Sequence, residues 1–350
     1  MYFASDNWAG ASEPIMNALA RHTAGFEPAY GEGALSESIE NKFRQIFETD
    51  CSVFVVATGT AANALALSAL TGPAGTVFCH KEAHIRVDEC GAPEFLTSGA
   101  RMWGLDGKHG KLDAAALAIG FQEVPHGVVH HGQPSAVSLT QATEFGTLYS
   151  IEEIKSLTAQ AKANGLAVHM DGARFANALV SLDVTPAEMT WQAGVDVLSF
   201  GATKNGAWCA EAVVFFNKDY ARDFMYRRKR AGQLFSKMRF AAAQFEGYFE
   251  DDHWLANARH SNAMAARLAD GLNAFDHSRT AWPCQSNEVF AIVPKSKASA
   301  AEAAGAVFHS WPTFGLAPED CPAEDECLLR LVTSFATTNE DVDSFLDCMK

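Results

Sequence analysis

The sequence predicts an α/β protein: a large domain built on a mostly parallel sheet covered by helices, followed by a smaller C-terminal α+β domain. Three observations carry this. Short β-rich apolar runs alternate with helical stretches over the first two-thirds of the chain, two of those runs lead into glycine-containing turns, and from about Asp252 a long polar–apolar helix opens a different pattern. A chain of 350 residues has room for one large domain plus a smaller one.

In order, residues 1–20 read as an N-terminal arm, 21–251 as the large domain and 252–350 as the small one. Ser52 to Val56 is a strand, followed by an alanine-rich helix from Ala61. Val137 to Thr140 is a strand, as is Leu166 to Met170, which leads into a helix from Phe175. Val195 to Phe200 and Ala212 to Phe216 are two more. The long helix runs from Asp252 to near Phe275; then come the strand Glu288 to Val293, a helix from Ser299, the strand Leu328 to Val332 and a last helix from Asn339. In open α/β sheets the loops at the carboxyl ends of the strands form the ligand crevice, so functional residues are expected just after each strand.

Composition narrows the classes. With 48% hydrophobic and 20% charged residues the chain is an ordinary globular one, and a net charge of -15 opposes binding to nucleic acid or anionic membranes. Eight cysteines are scattered without a CxxC pair or a histidine at zinc-ligand spacing, so they are expected to be reduced thiols. The opening residues lack a basic segment followed by an apolar one, and no apolar stretch is long enough to cross a bilayer; the expected address is the cytoplasm. The patch from His126 to His131 reads as a loop; its histidines could ligate a metal, but solvated loop histidines are the favoured reading and no metal is expected.

Four strand-end segments carry the chemistry. Ala57-Thr58-Gly59-Thr60-Ala61 joins a strand to a helix start; small residues there expose backbone N–H groups suited to a phosphate, or simply make a capped tight turn. The segment holds neither a Walker lysine nor a dinucleotide glycine fingerprint. In His80 to Ala92, His84 either stacks on a planar group and acts as acid or base, or is a hydrogen-bonded helix-start residue. In Leu166 to Phe175, a strand delivers Asp171 with Arg174 three residues on; the aspartate pairs with a cation such as a protonated pyridine, with Arg174, or caps a helix. In Val195 to Gly206, Lys204 sits in a glycine-flanked turn after an apolar strand, placed either to shed hydration and form an imine or to lie solvated; Thr203 before it offers a hydroxyl to a phosphate.

Taken together, these segments resemble the fold-type I pyridoxal-phosphate enzymes, and within them the low-specificity L-threonine aldolases of the β-eliminating lyase group. Asp-Gly-Ala-Arg beginning at Asp171, with a lysine 33 residues later, is the specific pairing, and the resemblance runs from about residue 3 to the end. It implies pyridoxal 5'-phosphate linked to Lys204, with Asp171 on the pyridine nitrogen and Gly59, Thr60 and Thr203 on the phosphate. His84 would stack on the ring near the substrate hydroxyl, supported by Glu89. Arg174, Arg330 and Ser5 would hold the substrate carboxylate. Where some relatives carry a second active-site histidine, this chain has Glu144 at or next to the position, so the base is His84, Glu144 or a water between them. The resemblance also implies a homotetramer of tight dimers, with Tyr30 and the basic run around Lys229 serving the neighbouring subunit.

The expected reaction is retro-aldol cleavage of L-threonine, L-allo-threonine or a related small β-hydroxy-α-amino acid to glycine and an aldehyde. The same fold and lysine also serve transaminases and other lyases, including phenylserine-type aldolases. A catalytically silent binding protein on this fold is the rival of another class, and a dinucleotide-dependent dehydrogenase is disfavoured by the missing GxGxxG.

Overall fold

In the computed structural model, which describes residues 1–314 and 316–350, seven strands form the large sheet. These are β1 (Ser52–Val56), β2 (Gly75–His80), β3 (Arg101–Leu105), β4 (Gln133–Thr140), β5 (Ala167–Gly172), β6 (Val197–Gly201) and β7 (Glu211–Phe215), in the order β1-β7-β6-β5-β4-β2-β3. Four of the six pairings are parallel, and β7 runs antiparallel to both its neighbours, β1 and β6. The central strands are covered on both faces, which is why β5 and β6 read as unbroken runs rather than alternating ones.

One face of β6 and β7 is covered by the helix Gly59–Leu70, whose alanines and leucines allow close approach; Val197, Val213 and Phe215 pack with Ala62, Leu65 and Ala66. The helix starts at Gly59, two residues before the expected Ala61, because the Thr58 hydroxyl accepts from Ala61 N at 3.2 Å and fixes the start. On the other face Phe200 meets Phe43 at 5.2 Å in an edge-to-face pair, with Phe245 and Phe249 closing the cluster. Each such pair adds about 0.5–1.5 kcal/mol beyond area burial.

The second sheet holds β8 (Arg279–Thr280), β9 (Glu288–Pro294), β10 (His309–Ser310) and β11 (Glu326–Val332), all antiparallel, in the order β10-β11-β9-β8. Helices His253–Asn273, Lys295–Ala303 and Asn339–Met349 bury one face through Leu268, Leu272, Val289, Leu331 and Phe345. The middle helix begins at Lys295, directly after Pro294, rather than at the expected Ser299. The opposite face sends Phe290 and Ile292 against Phe145 and Trp282, tying the small sheet to the loop after β4.

The N-terminal residues belong to both units. Phe3 is buried against Phe345, its N–H donates to the Val307 carbonyl at 2.7 Å, and its carbonyl accepts from Val332 N at 2.8 Å. Three residues later Asp6 reaches Arg174, just past β5. Among the described residues no helix is long and apolar enough to cross a membrane.

Candidate active site

A cavity of about 650 Å³ opens at the carboxyl ends of β1, β5 and β6. Ala57 to Thr60 and Asn63 line it from the β1 turn and the helix beyond. His84 and Glu89 enter from the segment after β2, Glu144 from the loop after β4, and Asp171 from the end of β5; Thr203, Lys204, Trp208 and Glu211 come from β6 and β7, and Asn7 from the N-terminal segment. Of the expected residues, Lys204, Asp171, His84, Glu89, Glu144, Gly59, Thr60 and Thr203 are brought together here.

At its centre Asn63 Nδ2 donates to Asp171 Oδ2 at 2.8 Å and to Glu89 Oε1 at 2.9 Å, and Ala173 N donates to Asp171 Oδ1 at 3.0 Å. His84 Nδ1 lies 2.9 Å from the same Glu89 oxygen. Burial pushes the Glu89 carboxyl up, against its bonds from His84 and Asn63, and the bond to Glu89 in turn raises His84. One amide therefore separates two buried carboxylates, each of which would otherwise face the other.

Lys204 stands in the short turn Thr203–Asn205. Gly206 closes the turn at φ 115°, with Asn257 and Ser12 at about 3 Å from where a side chain would begin, so no larger residue fits. Glu144, in the loop after β4, makes no hydrogen bond to the described residues. Burial raises its carboxyl, opposed by the charges of Lys204, Arg174 and His84.

Four donors are left over. The N–H groups of Gly59 and Thr60 begin their helix without a protein partner, as the first turn of any helix must. Thr203 Oγ1 is buried and closes no hydrogen bond of good geometry, and a Cβ at Gly59 would meet open space. Lys204 Nζ is likewise free of hydrogen bonds to the described residues, with Glu211, Asp6 and Glu144 close enough to feel its charge. A small planar molecule with a phosphate at one end fits these donors, the lysine and the buried Asp171.

The remaining expected residues lie elsewhere. Arg174 is buried behind the cavity: its Nε and Nη2 donate to Asp6 at 2.7 and 3.0 Å, and its Nη1 lies 3.4 Å from Glu288. Arg330 also donates to Glu288, through Nε at 3.0 Å and Nη2, and stacks on Trp311. Ser5 caps the turn Asp6–Trp8 by accepting from Asn7 N. Tyr30 is away from this cavity, its ring under Lys229 Nζ at 4.5 Å. His126 bonds the Asn164 carbonyl, and among the described residues no three histidine, cysteine or acidic side chains cluster as a metal site would.

Asn63, Asp6, Glu288 and Glu211 were missed in the sequence. Asn63 left a signal, a lone amide in a helix otherwise made mostly of alanine and leucine; the others are acids with nothing local to mark them.

Residues 2–295 match the model of the family described as β-eliminating lyase. The chain belongs to the β-eliminating lyase family. Among the proteins it resembles, a low specificity L-threonine aldolase of Pseudomonas aeruginosa is 44% identical over 88% of this chain and 89% of the relative. A protein of the same description from a Pseudomonas species is 41% identical over 93% of both. The solved threonine aldolase of Leishmania major superposes with a TM-score of 0.91 at 28% identity, over 99% of this chain and 98% of that one. The β-eliminating lyase fold thus extends through the small sheet, beyond the span the family model covers.

Proposed function

We propose that the protein cleaves L-threonine, L-allo-threonine and related β-hydroxy-α-amino acids to glycine and an aldehyde, with pyridoxal 5'-phosphate as its cofactor. The observation that carries this is the convergence of Lys204, Asp171 and the His84–Glu89 pair on one cavity beside the free N–H groups of Gly59 and Thr60. The similarity to L-threonine aldolases over most of the chain supports the same reading.

Lys204 would hold the cofactor covalently, Gly59, Thr60 and Thr203 its phosphate, and His84 would stack on its ring. When bound, the cofactor supplies an electron sink for the pair left as the substrate Cα–Cβ bond breaks. Asp171, fixed by Asn63 and Ala173 N, would keep the ring nitrogen protonated. The β-hydroxyl proton needs an acceptor whose pKa lies near the working pH. Glu144 suits that role, since burial raises its carboxyl and no hydrogen bond occupies it, whereas His84 is tied to Glu89. His84, with Glu89 behind it, then relays a proton through its free Nε2. Arg330, whose Nη1 Glu288 leaves free, would orient the substrate carboxylate; Arg174, held through all three nitrogens by Asp6 and Glu288, would join it only by exchanging one of those partners for the substrate.

The assembly is read as a homotetramer of tight dimers in which Tyr30 and Lys229 face a neighbour's site, supported by their exposure outside this chain's own cavity. A cytoplasmic setting is supported by eight cysteines that are all free thiols.

The deciding experiment is the visible spectrum of the protein and of Lys204→Ala, each followed by L-threonine with aldehyde detected through alcohol dehydrogenase. A cofactor band and aldehyde release, both lost in the variant, are expected. A keto acid in place of glycine would refute retro-aldol cleavage in favour of transamination.

A further inference from the structure

Glu211 has no part in the chemistry above, yet it lines the same cavity. Strand β7 lies between β1 and β6, and the register sets Glu211 opposite Val56 on one side and Gly201 on the other. Those two residues end the strands that lead into Thr58-Gly59-Thr60 and into Ala202-Thr203-Lys204. The Glu211 carboxyl is therefore the sheet's own contribution to the floor between the two loops that would hold a phosphate. Its Oε2 accepts from Ala202 N at 3.0 Å, and its Oε1 makes no hydrogen bond to the described residues. The buried Thr203 hydroxyl lies beside it without closing a bond of good geometry.

We infer that Glu211 is a cofactor-binding residue that holds a proton between its carboxyl and the cofactor phosphate. The inference rests on reading this cavity as the pyridoxal-phosphate site. A phosphate with both protons lost and an ionised carboxylate cannot share one buried cup, since like charges at one site force one of them to stay protonated. Burial pushes the Glu211 carboxyl up to about 7, against the opposing pull of Thr203, Ala202 N and Lys204. The phosphate's own second ionisation falls near pH 6, so the pair is poised to share a single proton. The other ionisable groups around Glu211 are few. Lys204 faces it from the β6 turn, Cys209 from the preceding loop and Tyr248 from the helix Arg239–Phe249, while Val56 on β1 brings no charge. Burial keeps the Cys209 thiol and the Tyr248 phenol neutral, and the Glu89, Asp171 and His84 group lies across the cavity with its own hydrogen bonds.

Holding that proton means binding takes one up from solution above about pH 7, so affinity falls as pH rises. The test measures the dissociation constants of pyridoxal 5'-phosphate and of pyridoxal, which lacks the phosphate, on the cofactor-depleted full-length protein from pH 6.5 to 9. Any pH dependence at Lys204 affects both ligands and cancels in their ratio. In the wild type the ratio is expected to rise by about tenfold per pH unit above about 7. In Glu211→Gln, whose amide donates at every pH, it is expected to stay flat, and the bound-phosphate 31P resonance is expected to stop titrating with it. Should that variant not fold, Glu211→Asp serves instead, its acid withdrawn by one methylene, and a shallower slope is expected. A flat ratio in the wild type, or an equal slope in the variants, overturns the inference. Binding of neither ligand overturns the cofactor reading and the inference with it, whereas binding with an unaltered slope overturns the inference alone.

Discussion

Asp6→Asn tests how the N-terminal segment is tied to the large domain. Burial raises the Asp6 carboxyl, but the charges of Arg174 and Lys204 and the bonds from Arg174 and Asn287 outweigh it and lower the group from 3.8 to about 2. A folded-state pKa below the unfolded one means stability that is present above about pH 4 and lost as pH falls through about 2. The lowering corresponds to about 2–3 kcal/mol at neutral pH. Asparagine mimics the protonated acid, so the variant is expected to be about 2–3 kcal/mol less stable at pH 7 in urea unfolding of the cofactor-free protein. The gap between wild type and variant should narrow by about 1 kcal/mol between pH 5 and pH 3, because only the wild type has this ionisation to lose. A variant within about 0.5 kcal/mol of wild type at pH 7, or a gap that does not narrow on acidification, would refute the view that the Asp6–Arg174 pair is a net stabilising contact.

Asn63→Ala removes the donor shared by Asp171 and Glu89. With about 1.5–3 kcal/mol at stake for each bond to a charged acceptor, cofactor affinity is expected to fall at least tenfold in titration of the cofactor-depleted protein. Glu144→Gln and His84→Gln separate the two candidate bases. Glu144→Gln is expected to lower kcat for threonine cleavage by about 10²–10⁴ and to remove the acidic limb of the pH profile, because the raised Glu144 carboxyl loses its basic form as pH falls. His84→Gln should retain that limb; loss of the limb in the histidine variant alone would reassign the base.

Much of the site was legible because a parallel sheet advertises itself. The apolar runs of β5 and β6 end at Asp171 and just before Lys204, and strand-end residues are where such sheets keep their chemistry. The turn into a helix after β1 was visible for the same reason, although its start was expected at Ala61 and lies at Gly59. The antiparallel course of β7 was not, since Ala212 to Phe216 is apolar in either direction, and Glu211 at its head looks like any strand-initial acid. Arg174 and Arg330 were expected to bind a carboxylate because the family resemblance implies it, but their partners Asp6 and Glu288 stand 168 and 42 residues away in sequence. No local pattern records which carboxylate an arginine will meet. Helix boundaries shifted by a few residues where a cap, Thr58, or a proline, Pro294, decided the start.

The placement of Phe3 has a consequence for how the molecule is made. Its two backbone partners, Val307 and Val332, are translated more than 300 residues after it. At about 5–20 residues per second, the segment carrying Phe3 and Asp6 waits tens of seconds on the ribosome before those partners emerge. During that interval the large sheet can assemble around Asp171 and Lys204 before Glu288, the second acid beside Arg174, has been made. The segment carrying Phe3 is thus among the last to complete its backbone pairing, and that pairing joins the two sheets late.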